Sequence, residues 1–192
     1  MVNLLQRAQR GDSDAFAELF EQYKLPLWKA AVAVLGGVDD AADALQETTI
    51  KAWRAIPRFE GRSHLSTWLM RILLRTCYDL LRKRRRETPY APEGFSGEPA
   101  AKGPVFDEQQ AIVGGKHHPD HDVIIDVRDA IGKLSSDDRL LLTLFYVNDY
   151  PVSQVAEIMN LSEGAVRTRL TRAREKFKAA YLNENEGRKV AL

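Results

Sequence analysis

Residues 66–86, STWLMRILLRTCYDLLRKRRR, leave little freedom in what this chain can fold into. At about 100° per residue, Leu69, Met70, Leu73, Leu74, Cys77, Leu80 and Leu81 fall on one broad apolar side of a helix. The opposite side carries Trp68, Arg71, Arg75, Asp79 and Arg82, with Tyr78 at its margin, and Arg82, Lys83, Arg84, Arg85 and Arg86 close the segment. The apolar side requires a partner layer, so the chain must build a helical core around it. The cationic side with an aromatic set into it has two readings. It suits single-stranded or opening nucleic acid, whose bases can stack, or it is a solvated basic face with Trp68 half buried as packing.

The flanking segments carry the same periodicity. Leu4, Leu5 and Ala8, then Phe16, Leu19, Phe20 and Tyr23, recur at three- and four-residue spacing, with a break at Gly11-Asp12. Leu27, Ala31, Val34 and Leu35 continue the pattern to Gly36-Gly37, and Pro26 marks a kink or an early turn. Residues 39–56 form the next helix, with Asp40, Asp43, Glu47, Lys51 and Arg54 on one side and Ala41, Leu45, Ala52 and Trp53 on the other. Acidic residues in a first turn favour the helix dipole, but Asp43 and Glu47 lie beyond it. An acidic docking surface for a basic partner accounts for them. Pro57 stops this helix, and the loop RFEGRSHL (residues 58–65) places Gly61, Ser63 and Phe59 at the basic, aromatic end of the central helix. A pocket is expected there, with Ser63 or Ser66 as the cap.

From residue 87 to 122 the composition changes: Pro89, Pro92, Pro99, Pro104 and Pro119 fall here and periodic apolar residues thin out, which marks a flexible linker. His117, His118, His121 and Asp122 are a weak metal-binding pattern, and no metal or other cofactor is expected. Residues 123–192 are again helical. Val123, Val127, Ile131 and Leu134 make a stripe, and Ser135-Ser136-Asp137-Asp138 is a helix-start signal before Leu140, Leu141, Leu144 and Phe145. A short helix at 152–159, a tight turn at Asn160-Leu161-Ser162 and a longer helix at 163–182 form a helix-turn-helix pattern. Val166, Leu170, Ala173 and Phe177 are the last helix's core spine, with Arg167, Thr168, Thr171, Arg172 and Glu175 opposite and Arg169, Arg174 and Lys176 flanking. Arg can meet guanine edges bidentately, Thr a thymine methyl or a phosphate, and the flanking cations neutralise the backbone.

The expected fold class is therefore all-α: two small helical domains, 1–86 and 123–192, joined by the linker 87–122. A net charge of +1 hides this segregation of acidic and basic stretches. Cys77 is the single cysteine and excludes an intrachain disulfide and a Cys-based zinc cluster. No apolar run approaches the roughly 20 residues of a membrane span, and the amino terminus does not read as a signal peptide, so a cytoplasmic protein without membrane insertion is expected. No nucleophile–base set or phosphate loop points to an enzyme.

Five stretches taken in order resemble the extracytoplasmic-function (ECF) group of bacterial RNA polymerase sigma factors: GDSDAFAELFEQY, DDAADALQETTIKAW, RFEGRSHLSTWLMRI with its basic run, AIGKLSSDDRLLLTLFY, and VAEIMNLSEGAVRTRLTRAREKF. The resemblance spans nearly the whole chain outside 87–122. It implies a transcription initiation factor of the stress-response kind that binds core polymerase, reads −35 and −10 promoter elements and assists DNA opening. It further implies that the helix over 39–56 docks through Asp43, Gln46 and Glu47 on the clamp helices of the largest polymerase subunit. Phe59, Ser63, Trp68, Arg71, Arg75 and Arg82 would serve −10 recognition and melting, and Arg167, Thr168, Thr171, Arg172 and Arg174 would serve the −35 element. An anti-sigma factor is the implied inhibitor. Arg75 stands where the family commonly has Asn, and Ala165 where Thr is common. The rival reading is a stand-alone helix-turn-helix regulator, which leaves the acidic helix and the Phe59 loop without a joint purpose.

Overall fold

The computed structural model describes residues 2–87 and 121–190 and contains no β-strand among them. The linker expected over 87–122 lies almost entirely outside the described residues, as do His117 and His118, while the side chains of His121 and Asp122 are not described. In the first half, α1 (Val2–Gln9), α2 (Ser13–Leu35), α3 (Val38–Ala55) and α4 (Leu65–Glu87) are joined by tight turns, with a 3-10 turn at Ile56–Arg58. The second half comprises α5 (His121–Gly132), α6 (Ser136–Leu142), a π-type turn (Thr143–Val147), α7 (Val152–Met159) and α8 (Glu163–Val190).

The punctuation of these helices is local chemistry. Asp12 caps α2 by accepting the Ala15 N–H at 3.0 Å. That bond, with the Arg7 guanidinium beside it, holds the Asp12 carboxyl below the usual carboxylate range. Gly36, at φ 77°, ends α2 in the left-handed conformation that glycine adopts freely, returning its N–H to Val32 O at 2.8 Å. Ser135 caps α6 through the Asp138 N–H, as the Ser-Ser-Asp-Asp pattern implies. Pro26, which the sequence left between a kink and an early turn, sits inside α2. It removes one backbone donor, and α2 persists because Leu19, Phe20, Leu27, Ala30 and Ala31 are buried on both sides of it. α8 runs eight residues past the end expected near 182, through NENEGRKV, where no apolar periodicity signals a helix. Ser66 lies inside the first turn of α4, and its hydroxyl accepts from Gln154 of α7 at 2.7 Å.

α4 is the central element of the first domain, packed on α2 and α3. Leu69, Met70, Leu73, Leu74 and Cys77 are at most 6% exposed, whereas Arg71, Arg75 and Asp79 face outward. Burial pushes the Cys77 thiol up to about 12, so it stays neutral and behaves as a small apolar side chain. In the second domain Leu140, Leu141, Leu144, Val155, Val166, Leu170 and Ala173 fill the interior.

The two interiors are continuous: α6 and the π-type turn pack on α2, and α7 packs on α4, so buried residues of both domains form one cluster. The deepest joint is Arg139, only 7% exposed, which donates through Nε to Ala33 O at 2.7 Å and through a terminal nitrogen to Leu134 O at 2.7 Å.

Leu73, fully buried in α4, gives a direct check on this core. Leu73→Ala should lower unfolding free energy by about 2–5 kcal/mol. Chemical denaturation followed by circular dichroism measures it, and a loss under 1 kcal/mol would contradict the packing.

Candidate nucleic-acid interface

The loop between α3 and α4 builds a cavity at the start of the central helix. The 3-10 turn ends with Phe59 N–H on Ile56 O at 3.0 Å, and Gln9 of α1 donates to Phe59 O at 2.8 Å, which fixes the loop from beneath. Gly61, at φ 71°, supplies the left-handed residue that folds the loop back. The Phe59 and Trp68 rings then lie 5.1 Å apart at 50°, with Trp68 half-buried. They wall a cavity of about 280 Å³ that Ser63, Arg58, Arg62 and Arg71 also line. Four of the six expected −10 residues, Phe59, Ser63, Trp68 and Arg71, are thus brought together. Arg75 lies one turn further along α4 and opens into a different cavity, of about 580 Å³, with Arg71, Tyr78 and Arg169. Arg82 is nearer the helix end and paired with Asp79. The basic terminus is also tied back to α3, through Arg84 and Asp40.

Two residues in this region carry information the sequence alone did not. Glu157, from α7, reaches the same small cavity and pairs with Arg71 at 3.5 Å. Tyr78 donates to Asp137 Oδ1 at 3.0 Å, and burial with that neighbouring carboxylate pushes its hydroxyl well above its ordinary range.

Asp43, Gln46 and Glu47 are exposed on the outer side of α3. Glu47 pairs with Lys51 at 2.8 Å, an exposed i, i+4 contact of the kind that contributes little and yields readily to a competing partner. Ile50 extends the same face: it is 52% exposed, three residues after Glu47 and four after Gln46. Its sequence signal was available, since Ile50 is an apolar residue on the charged side of an amphipathic helix.

In the second domain, Asn160 takes the left-handed conformation (φ 55°, ψ 49°) and closes α7, returning its backbone N–H to Ala156 O and Glu157 O. Ser162 accepts the Ala165 N–H at 3.2 Å and opens α8. With Val166, Leu170 and Ala173 at most 2% exposed, the opposite face of α8 presents Arg167, Thr168, Thr171 and Arg172 to solvent. Thr168 and Thr171 donate to Gly164 O and Arg167 O, and Arg167 pairs with Glu163 at 2.9 Å. Arg172 has no ion-pair partner among the described residues. Arg174 is placed differently from the other four: its guanidinium lies 6.0 Å from the Tyr146 ring centroid, at the edge of an apolar cavity of about 300 Å³.

Residues 19–87 match the family model for Sigma-70 region 2, and residues 124–177 match that for Sigma-70 region 4. The chain is 32% identical to RNA polymerase sigma-H factor of Pseudomonas aeruginosa over 90% of its own length and 89% of that protein's. It is 29% identical to ECF RNA polymerase sigma factor SigW of Bacillus subtilis, over 89% and 91% of the two lengths. Among solved structures, the sigma factor RpoE in complex with the anti-sigma factor NepR from Bartonella quintana superposes with a TM-score of 0.64 at 25% identity, covering 86% of this chain and 95% of that one. CnrH in complex with the cytosolic domain of CnrY gives 0.63 at 24% identity, covering 92% and 94%.

The turn at Asn160 is the geometric hinge on which α8 is presented. Asn160→Val should destabilise the protein by about 1–3 kcal/mol, because a β-branched residue is strained in this conformation, while Asn160→Gly should melt close to wild type. Equal melting temperatures for the two variants would contradict the assigned turn.

Proposed function

We propose that this chain, which belongs to the ECF group of the sigma-70 family, binds core RNA polymerase, directs it to promoters with −35 and −10 elements and assists DNA opening. The observation that carries this reading is the small cavity walled by Phe59 and Trp68 and edged by Arg71. A protein that reads only duplex DNA has no use for an aromatic-walled recess beside a cationic helix. A flipped base does, since stacking offsets the cost of unstacking it, and the neighbouring cations hold the strand's phosphates.

Each part has a role. Phe59, Ser63 and Trp68 receive a base of the −10 element, with Arg71, Arg75 and Arg82 along the strand. Arg167, Thr168, Thr171 and Arg172 read the −35 duplex in the major groove, and Arg174 serves the second domain's fold as much as the backbone. Asp43, Gln46, Glu47 and Ile50 form the polymerase-docking face, an acidic surface with an apolar centre that complements basic clamp helices. The chain performs no chemistry itself; polymerase does. An anti-sigma protein is its expected inhibitor, in keeping with the anti-sigma partner of the Bartonella relative. Among the described residues no helix is long and apolar enough to cross a membrane.

Run-off transcription with purified core polymerase on a promoter library tests the whole reading. Specific transcripts should appear only when the chain is added, and their absence would overturn it. Arg172→Ala should weaken discrimination at the −35 element by about 1–3 kcal/mol, read as competition between matched and mismatched duplexes. An unchanged preference would remove Arg172 from the reading face. Glu47→Lys should lower affinity for core polymerase in a direct binding titration while leaving duplex binding intact, and equal polymerase affinity would count against the docking face.

A further inference from the structure

α1 has no part in the functions assigned above. It precedes the segment that matches region 2, which begins at residue 19, and it contributes no side chain to the lining of the Phe59–Trp68 recess. Its last residue is nonetheless bonded to that recess from behind. Gln9 Nε2 donates to Phe59 O at 2.8 Å, a partly buried bond that spans 50 residues of sequence.

Phe59 has few other supports. Its N–H returns to Ile56 O at 3.0 Å, which closes the 3-10 turn, and its ring rests on Trp68. The residues that follow run outward into solvent. Gly61, at φ 71°, has nothing within 4 Å of where a Cβ would stand, and Glu60 and Arg62 pair with one another, both well exposed. The Gln9 bond therefore fixes the carbonyl end of the residue that faces Trp68. α1 can hold the loop because it is itself held. Ala8 is fully buried, and Leu4 and Leu5 pack against the core. The turn into α2 returns the Gly11 N–H to Ala8 O at 3.0 Å and the Asp12 N–H to Arg7 O at 3.1 Å. Asp12, the cap of α2, also pairs with the Arg7 guanidinium at 2.7 Å. α1 is thus a strut between the start of α2 and the loop.

We propose that Gln9 is a positioning residue for −10 base recognition: its amide holds the Phe59 backbone so that the recess is formed before a base arrives. The proposal rests on the function given above. A base that enters a formed recess uses none of its stacking energy to order the loop. A loop free to move must be ordered by the base, and it also adapts to other bases, so loss of the tether falls on discrimination among them. A contact that only stabilised the fold would lower transcription from every promoter alike.

The test uses holoenzyme assembled from purified core polymerase and the full chain, on a promoter library randomised in both elements. Gln9→Met keeps the length of the side chain, removes its donor and should melt close to wild type. Base preference within the −10 element should fall about 2- to 10-fold, the range expected when one residue must be ordered on binding. Preference at the −35 element should stay within about 2-fold, because the two sites share no partner. Gln9→Lys restores an N–H donor of similar reach and should recover the −10 preference. Its added charge favours every sequence alike and cannot restore a ratio between bases. In the free protein, hydrogen exchange at the amides of residues 59–62 should quicken by about 5-fold or more in Gln9→Met. Unchanged exchange would overturn the tether. Faster exchange with undiminished −10 preference, or an equal loss at both elements, would make Gln9 a fold contact and overturn the positioning role. If wild-type holoenzyme yields no transcripts, the sigma function falls and the role of Gln9 with it; transcripts with undiminished preference in Gln9→Met overturn that role alone.

Discussion

The arrangement of the two domains depends on one guanidinium. Arg139 is almost fully buried and joins Leu134 O of its own domain to Ala33 O of the other. A buried cation is tolerated only when its donors are satisfied, and here the acceptor is an end-of-helix carbonyl that itself needs a donor. Each group resolves the other's deficit. Around this contact the interdomain surface is otherwise modest: amide and phenol hydrogen bonds, one loose ion pair, and a strip of apolar contact. Such a surface resembles the polar interfaces across which domains move.

Beneath that contact lies the packing of α4, on which the Phe59–Trp68 recess depends. Leu69, Met70, Leu73, Leu74 and Cys77 fix the rotation of the helix about its own axis. Once they are buried, the helical period leaves Trp68, Arg71 and Arg75 no choice but to project along the opposite side. The loop before the helix then needs only Gly61 and the Gln9 tether to bring Phe59 against Trp68. The recess is a by-product of core geometry and costs little additional order.

What could be read in advance follows the same division. Helices with an apolar stripe, their Asp, Ser and Gly boundaries and the helix-turn-helix were all legible, because each is encoded within a few residues. The π-type turn at Thr143–Val147 was not, since it is a one-residue irregularity inside a helical pattern, and it is what leaves Tyr146 and Val147 about half exposed. Arg139 was invisible for another reason: beside Asp137 and Asp138 in a first turn it reads as a surface charge, and only a carbonyl 106 residues away makes it interior. Glu157 and Gln154 likewise looked like the outer face of a short helix. That Phe59, Ser63, Trp68 and Arg71 line one cavity follows from helix phase and a short preceding loop. The separation of Arg75 from their cavity needed the position of the second domain.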